Sequence, residues 1–229
     1  MNMLEGRYVP VVLTSLLLLS TVAEAKGPPL PQPDPERGSI GVTIRAIPPA
    51  KMGKIAAVQV YFVRPAEDGD VLNAEYVIPS NYSKKKQVYF LNAKPGRYVA
   101  VAARLSSRGT GFKYEAFFSM EMLPEMEVTV VPGKLVFMGD FLLETSTKMK
   151  EADRAQSHFY RLISPDTARK GYMARTFLGK APYTATLKSV DKGAETEREF
   201  WTLAKQKKVF KNEPAWQEFV QKQLEALAK

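Results

Sequence analysis

The chain has no cysteine and a single histidine among its 229 residues. Without thiols it has no disulfide, no cysteine nucleophile, no iron–sulfur cluster and no cysteine-ligated zinc. One histidine, His158, also excludes the paired-histidine metal motifs. Acidic residues are the scarcer charge, 24 against 33 Lys and Arg. A G-x-S-x-G elbow, an EF-hand loop and an internal repeat of fixed period are missing as well. With 45% hydrophobic residues the composition is that of a folded protein, whose core must hold by apolar burial alone.

The amino end reads as an export signal. Arg7 stands in a short n-region, an apolar run follows from Val11 to Val22, and Ala23-Glu24-Ala25 is an A-x-A cleavage site. The apolar stretch is shorter than the roughly 20 residues that cross a bilayer, which favours a cleaved signal peptide over residues 1–25. The expected product is soluble, periplasmic or secreted, with no transmembrane span after cleavage. It would carry 32 basic and 22 acidic residues, net +10.

Residues 26–37 contain five prolines and read as a semi-rigid linker, each proline restricting its predecessor to extended backbone. Over residues 38–145 the hydrophobic pattern has period two. Strands are expected around Ile40–Ile44, Ala56–Val63, Val71–Ile78, Gln87–Leu91, Arg97–Ala103, Phe112–Met120, Met126–Val131 and Leu135–Leu143. Lys94-Pro95-Gly96 and Pro132-Gly133 read as tight turns, the first as a hairpin. Seven or eight short strands separated by turns predict an antiparallel β-sandwich.

The run from Val88 through Pro95-Gly96-Arg97-Tyr98 to Ala102 resembles the strand-turn-strand of prealbumin-like sandwiches, including carboxypeptidase regulatory-like domains. Val130 to Phe141 is similar to the closing hairpin of related bacterial exported sandwiches. The resemblance implies a sandwich that serves as an accessory, adhesion, substrate-presenting or packing module, and it transfers no catalytic residue.

From Ser146 the period lengthens to about 3.6, which predicts a helical C-terminal region over residues 146–229 after the β-domain. Helices are expected over Glu151–Ile163, from Asp166 to Gly179, over Ala194–Lys207 and, most clearly, from Asn212 as cap through Trp216, Phe219, Val220, Leu224 and Leu227. Lys180–Lys192 reads as turn-like or extended. The helical part carries net +7 and residues 26–145 net +3.

Two lysine clusters stand out, Lys84-Lys85-Lys86 and Lys205, Lys207, Lys208, Lys211. Clustered like charges raise the local potential and speed encounter with anions, so these residues, with Trp216, are the candidate contacts for an envelope protein or an anionic glycan or lipid surface. The plainer reading is a solvated turn and helix face. Nucleic acid is not expected as a partner, since no binding motif is present. His158 is read as a packing residue. The S-x-x-K spacings at Ser83–Lys86 and Ser189–Lys192 lack their K-T-G and S-D-N companions. Glu67-Asp68-Gly69-Asp70 reads as a solubilising turn, with calcium as its alternative. The aromatics Phe200, Trp201, Phe210, Trp216 and Phe219 read as docking faces, with a ligand cleft as theirs.

The expected function is therefore that of a non-enzymatic binding or assembly protein of the cell envelope, without a cofactor. Two alternatives stand beside it: a hydrolase using carboxylates such as Asp140, Glu144 or Asp153, and a purely structural accessory subunit of an envelope complex.

Overall fold

The computed structural model describes residues 30–48, 55–66, 69–107, 113–146, 152–165, 182–207 and 209–228. The signal peptide, the start of the linker, Glu67, Asp68, Lys208 and the helix expected from Asp166 lie outside the described residues.

Among the described residues there are ten strands: β1 Gly38–Ile47, β2 Ile55–Val63, β3 Ile78–Pro79, β4 Tyr82–Lys84, β5 Gln87–Ala93, β6 Gly96–Ser107, β7 Lys113–Phe118, β8 Glu127–Val130, β9 Leu135–Ser146 and β10 Pro182–Asp191. Three α-helices accompany them among the described residues, α1 Arg154–Ile163, α2 Ala194–Gln206 and α3 Pro214–Ala226. Six strands close into a barrel in the order β1-β2-β6-β7-β10-β9. The remaining four extend the sheet outside the ring, β3 on β2, β5 on β1, β4 on β5 and β8 on β6.

The protein is thus mainly β, but the expected antiparallel sandwich with a C-terminal helical region is overturned. Strand β10, from the stretch read as turn-like or extended, pairs antiparallel with β9 and parallel with β7 and fills the last gap of the ring. A second parallel pair joins β1 to β9. Parallel neighbours need long connections, so local alternation carries no sign of them.

The turn readings are corrected too. Lys94-Pro95-Gly96 does join β5 to β6, but no hairpin forms, because β5 pairs with β1 and β4 while β6 pairs with β2, β7 and β8. Gly96 sits at φ +130° and sends the chain across the fold rather than back along it. Likewise Val71–Ile78 is no return strand: Val71–Asn73 is a 3-10 turn capped by the Asp70 side chain, and only Ile78–Pro79 pairs.

The barrel interior is filled. Ile40, Val42 and Ile44 of β1 point inward beside Phe62, Phe117 and Phe141, all at most 1% exposed. Helix α1 starts with a capping box between Asp153 and Gln156 and lays Ala155, Phe159 and Tyr160 on β7, with Tyr160 edge-on to Phe117. Strand β5 is buried on both faces, Val88 toward the barrel and Tyr89 and Leu91 toward a second core built by α2 and α3.

That second core exists because β1 leaves room for it. A Cβ on Gly41 would lie 2.6 Å from Phe200 and 2.7 Å from Trp201, so only glycine lets α2 approach. Glu195 and Glu197 occupy the first turn of α2, where negative charge suits the helix dipole, and Pro214 opens α3. The cap of α3 is Glu213, not Asn212, and its side chain makes no capping bond. The described part of the proline-rich segment is fastened to this core. Trp216 Nε1 donates to the Pro31 carbonyl at 2.7 Å, and Asn92 holds both the Gln32 carbonyl and the Asp34 amide.

Candidate functional site

The triple lysine forms the tip of the β4–β5 hairpin. Lys84 pairs with Gln87, leaving Lys85 and Lys86 as the two loop residues at φ +56° and +73°. Positive φ at both central positions defines a type I′ turn, which ordinarily takes Asn-Gly. Each lysine there opposes a steric preference of about 1–2 kcal/mol. Among the described residues, the side chains of Lys84, Lys85 and Lys86 form no ion pair or hydrogen bond.

The hairpin overhangs a discontinuity in the barrel wall. One edge of β1 is bonded by β5 from Gly38 to Thr43 and by β2 only at Arg45 and Ala46. Where the edge passes from one neighbour to the other, a cavity of about 610 Å³ opens, walled by Ile47, Ile55, Ala57, Val58 and Leu142 and rimmed by Arg45 and the three lysines. A smaller depression of about 190 Å³ lies beyond Arg45, where Lys85 and Lys86 meet Lys207 of the α2 end. Asp140 and Glu199 also line it. Arg45 donates two hydrogen bonds to Asp140, at 3.1 and 3.2 Å. Burial raises the Asp140 carboxyl above its ordinary pKa, against the opposing pull of Arg45.

The two sequence-distant lysine clusters therefore converge in part. Lys205 and Lys211 stand apart, lining a different cavity of about 700 Å³ on the α2–α3 pair, where Lys205 Nζ donates to Gln221. Trp216 is 1% exposed and stacks on Phe210 inside the second core, so its face is spent on packing. Phe200, Trp201 and Phe210 are buried with it, which makes this aromatic set a docking face and not a cleft.

Arg45, Ile47, Val58 and Leu142 were not singled out by the sequence. A signal was there: on β1 the inward positions run Ile40, Val42, Ile44, Ala46, so Ile47 is an outward apolar residue that breaks the alternation.

The carboxylates considered for hydrolysis do not form an acid–base pair. Asp140 binds Arg45, Glu144 binds Lys188 at 3.0 Å, and Asp153 caps α1. Ser83 lies on β4 and Ser189 on β10, neither at a helix start, and Lys192 pairs with Glu125. His158 packs its ring against Phe159. A further cavity of about 550 Å³ holds Arg37, Arg64 and Tyr98, but both arginines are occupied in fastening the chain: Arg37 binds Asp34 and the Asn92 carbonyl, and Arg64 binds the Pro95 carbonyl. Among the described residues no acidic or histidine cluster suits a metal ion, and no helix is long and apolar enough to cross a membrane.

The chain matches no family model, no curated protein and no solved structure. None of these comparisons bears on the prealbumin-like resemblance.

Proposed function

We propose that this is an exported, non-enzymatic binding or assembly protein of the cell envelope, periplasmic or secreted, that meets an anionic partner through the face carrying Lys84, Lys85, Lys86 and Lys207. The observation that carries the reading is the convergence of Lys85 and Lys86 with Lys207, from clusters more than 100 positions apart, around Arg45. Five cations line the two adjoining hollows against two carboxylates, Asp140 and Glu199, and one of those is already paired to Arg45. Such a surface raises the local anion concentration and shortens the search for a charged partner. The export reading rests on residues 1–25 alone.

The test is sedimentation with phosphatidylglycerol vesicles and retention on a sulfated-glycan resin at low and high salt. Salt-sensitive binding is expected, abolished in K84E/K85E/K86E and retained in K205E/K211E, whose cations face elsewhere. Equal binding by both variants, or none by the unaltered protein to either anionic surface, would remove the reading.

A further inference from the structure

The cavity beneath the lysine hairpin is more than a basic patch, because its chemistry changes with depth. The rim is cationic and the walls are aliphatic. No carboxylate lines it among the described residues, in contrast to the neighbouring depression with Asp140 and Glu199. Ile47 and Val58, 40% and 38% exposed, are large apolar side chains left open to water on adjoining strands, and both face this space. A volume of about 610 Å³ lies within the range of pockets that take small-molecule ligands, roughly 300–1,000 Å³. The opening is fixed by the topology, since β5 leaves the β1 edge at Thr43 and β2 joins it only at Arg45. At its mouth two non-glycine residues hold a turn that Asn-Gly would form at less cost, and both are lysines without a protein partner among the described residues.

From this juxtaposition we infer that the protein binds a single-chain amphiphile with an anionic headgroup, the alkyl chain lying along Ile47, Ile55, Val58 and Leu142 and the headgroup held by Lys84, Lys85 and Lys86. The inference rests on the anionic-partner reading and narrows it. A purely ionic ligand would leave the apolar walls wet, and an uncharged hydrocarbon would gain nothing from the rim. An amphiphile satisfies both, with its headgroup kept in the solvated mouth where lysines need not be desolvated.

Calorimetric titration of the purified protein with straight-chain carboxylates of two, eight, ten and twelve carbons, below their micellar concentrations, tests it. Acetate is expected to bind negligibly. Affinity should rise with chain length by up to about fourfold for each methylene buried, then level off when the chain outgrows the cavity. Dodecanol, which keeps the chain and lacks the charge, should bind at least tenfold more weakly than dodecanoate. V58W and I47W each fill the space from a partly exposed position. Both should flatten the chain-length dependence while leaving binding to phosphatidylglycerol vesicles intact. Affinity independent of chain length, or an unchanged series in both tryptophan variants, would overturn the alkyl-chain assignment and leave the anionic-surface reading standing. Failure of the unaltered protein to bind both the carboxylates and the anionic vesicles would overturn both.

Discussion

At the scale of single residues, the most informative positions are Lys85 and Lys86. A backbone at φ +56° and +73° asks for glycine or asparagine, and lysine answers only at a steric cost. Replacing the pair as K85N/K86G should therefore raise folding stability by about 1–2 kcal/mol while weakening anion binding. Urea unfolding and vesicle sedimentation on the same preparation check both halves. A variant that loses binding without gaining stability would show that the turn is not held in this geometry. The plainer reading of the triple lysine, a solvated turn, matches its place at the hairpin tip. What the sequence did not carry was the type of turn, because the usual Asn, Asp or Gly is absent and the backbone geometry that aims the charge had no compositional trace.

At the scale of elements, the proline-rich segment behaves as a strap. Residues 30–37 are held at one end by Trp216 and at the other by Asn92, whose φ of +55° places its side chain between the Gln32 carbonyl and the Asp34 amide. Asn92→Gly preserves that backbone conformation and deletes two hydrogen bonds, at a cost of about 1–3 kcal/mol. Limited proteolysis is expected to cut residues 30–37 sooner in N92G than in the unaltered protein, with the barrel itself surviving as a resistant fragment. Simultaneous loss of strap and barrel would contradict this division. Much at this scale was legible. Alternation placed β1, β2, β5, β6, β7, β8 and β9, and the 3.6-residue period placed α1, α2 and α3. What escaped was pairing. Pro182–Asp191 alternates Tyr183, Ala185 and Leu187, but its second half is largely exposed, so its apolar face is too short to declare a strand. The candidate cavity was illegible for a related reason: it lies where β5 and β2 divide one edge of β1, and no local pattern encodes which neighbour a strand edge will take.

At the scale of the whole molecule, the phenol groups tie stability to pH. Burial, with a smaller push from Glu115, moves the Tyr61 hydroxyl up to about 12, and burial is the leading cause of the raised values of Tyr82, Tyr89, Tyr98 and Tyr114. Each of these groups keeps its proton more tightly when folded than when unfolded, where tyrosine releases it near pH 10. Their contribution is thus complete below about pH 10 and is lost as pH rises through the folded-state values. The urea midpoint should fall steeply above that point, and Tyr61→Phe should lessen the slope. A midpoint unchanged between about pH 9 and pH 11 would contradict the burial of these rings.

The parallel contact between β1 and β9 also sets a clock. β1 is finished at Ile47, its lateral companion begins at Leu135, and the stave that seals the ring ends at Asp191. A polypeptide released amino end first must wait for most of its length before the hoop can shut, and such distant contacts form slowly. The same ordering leaves the ring open until residues 182–191 have emerged.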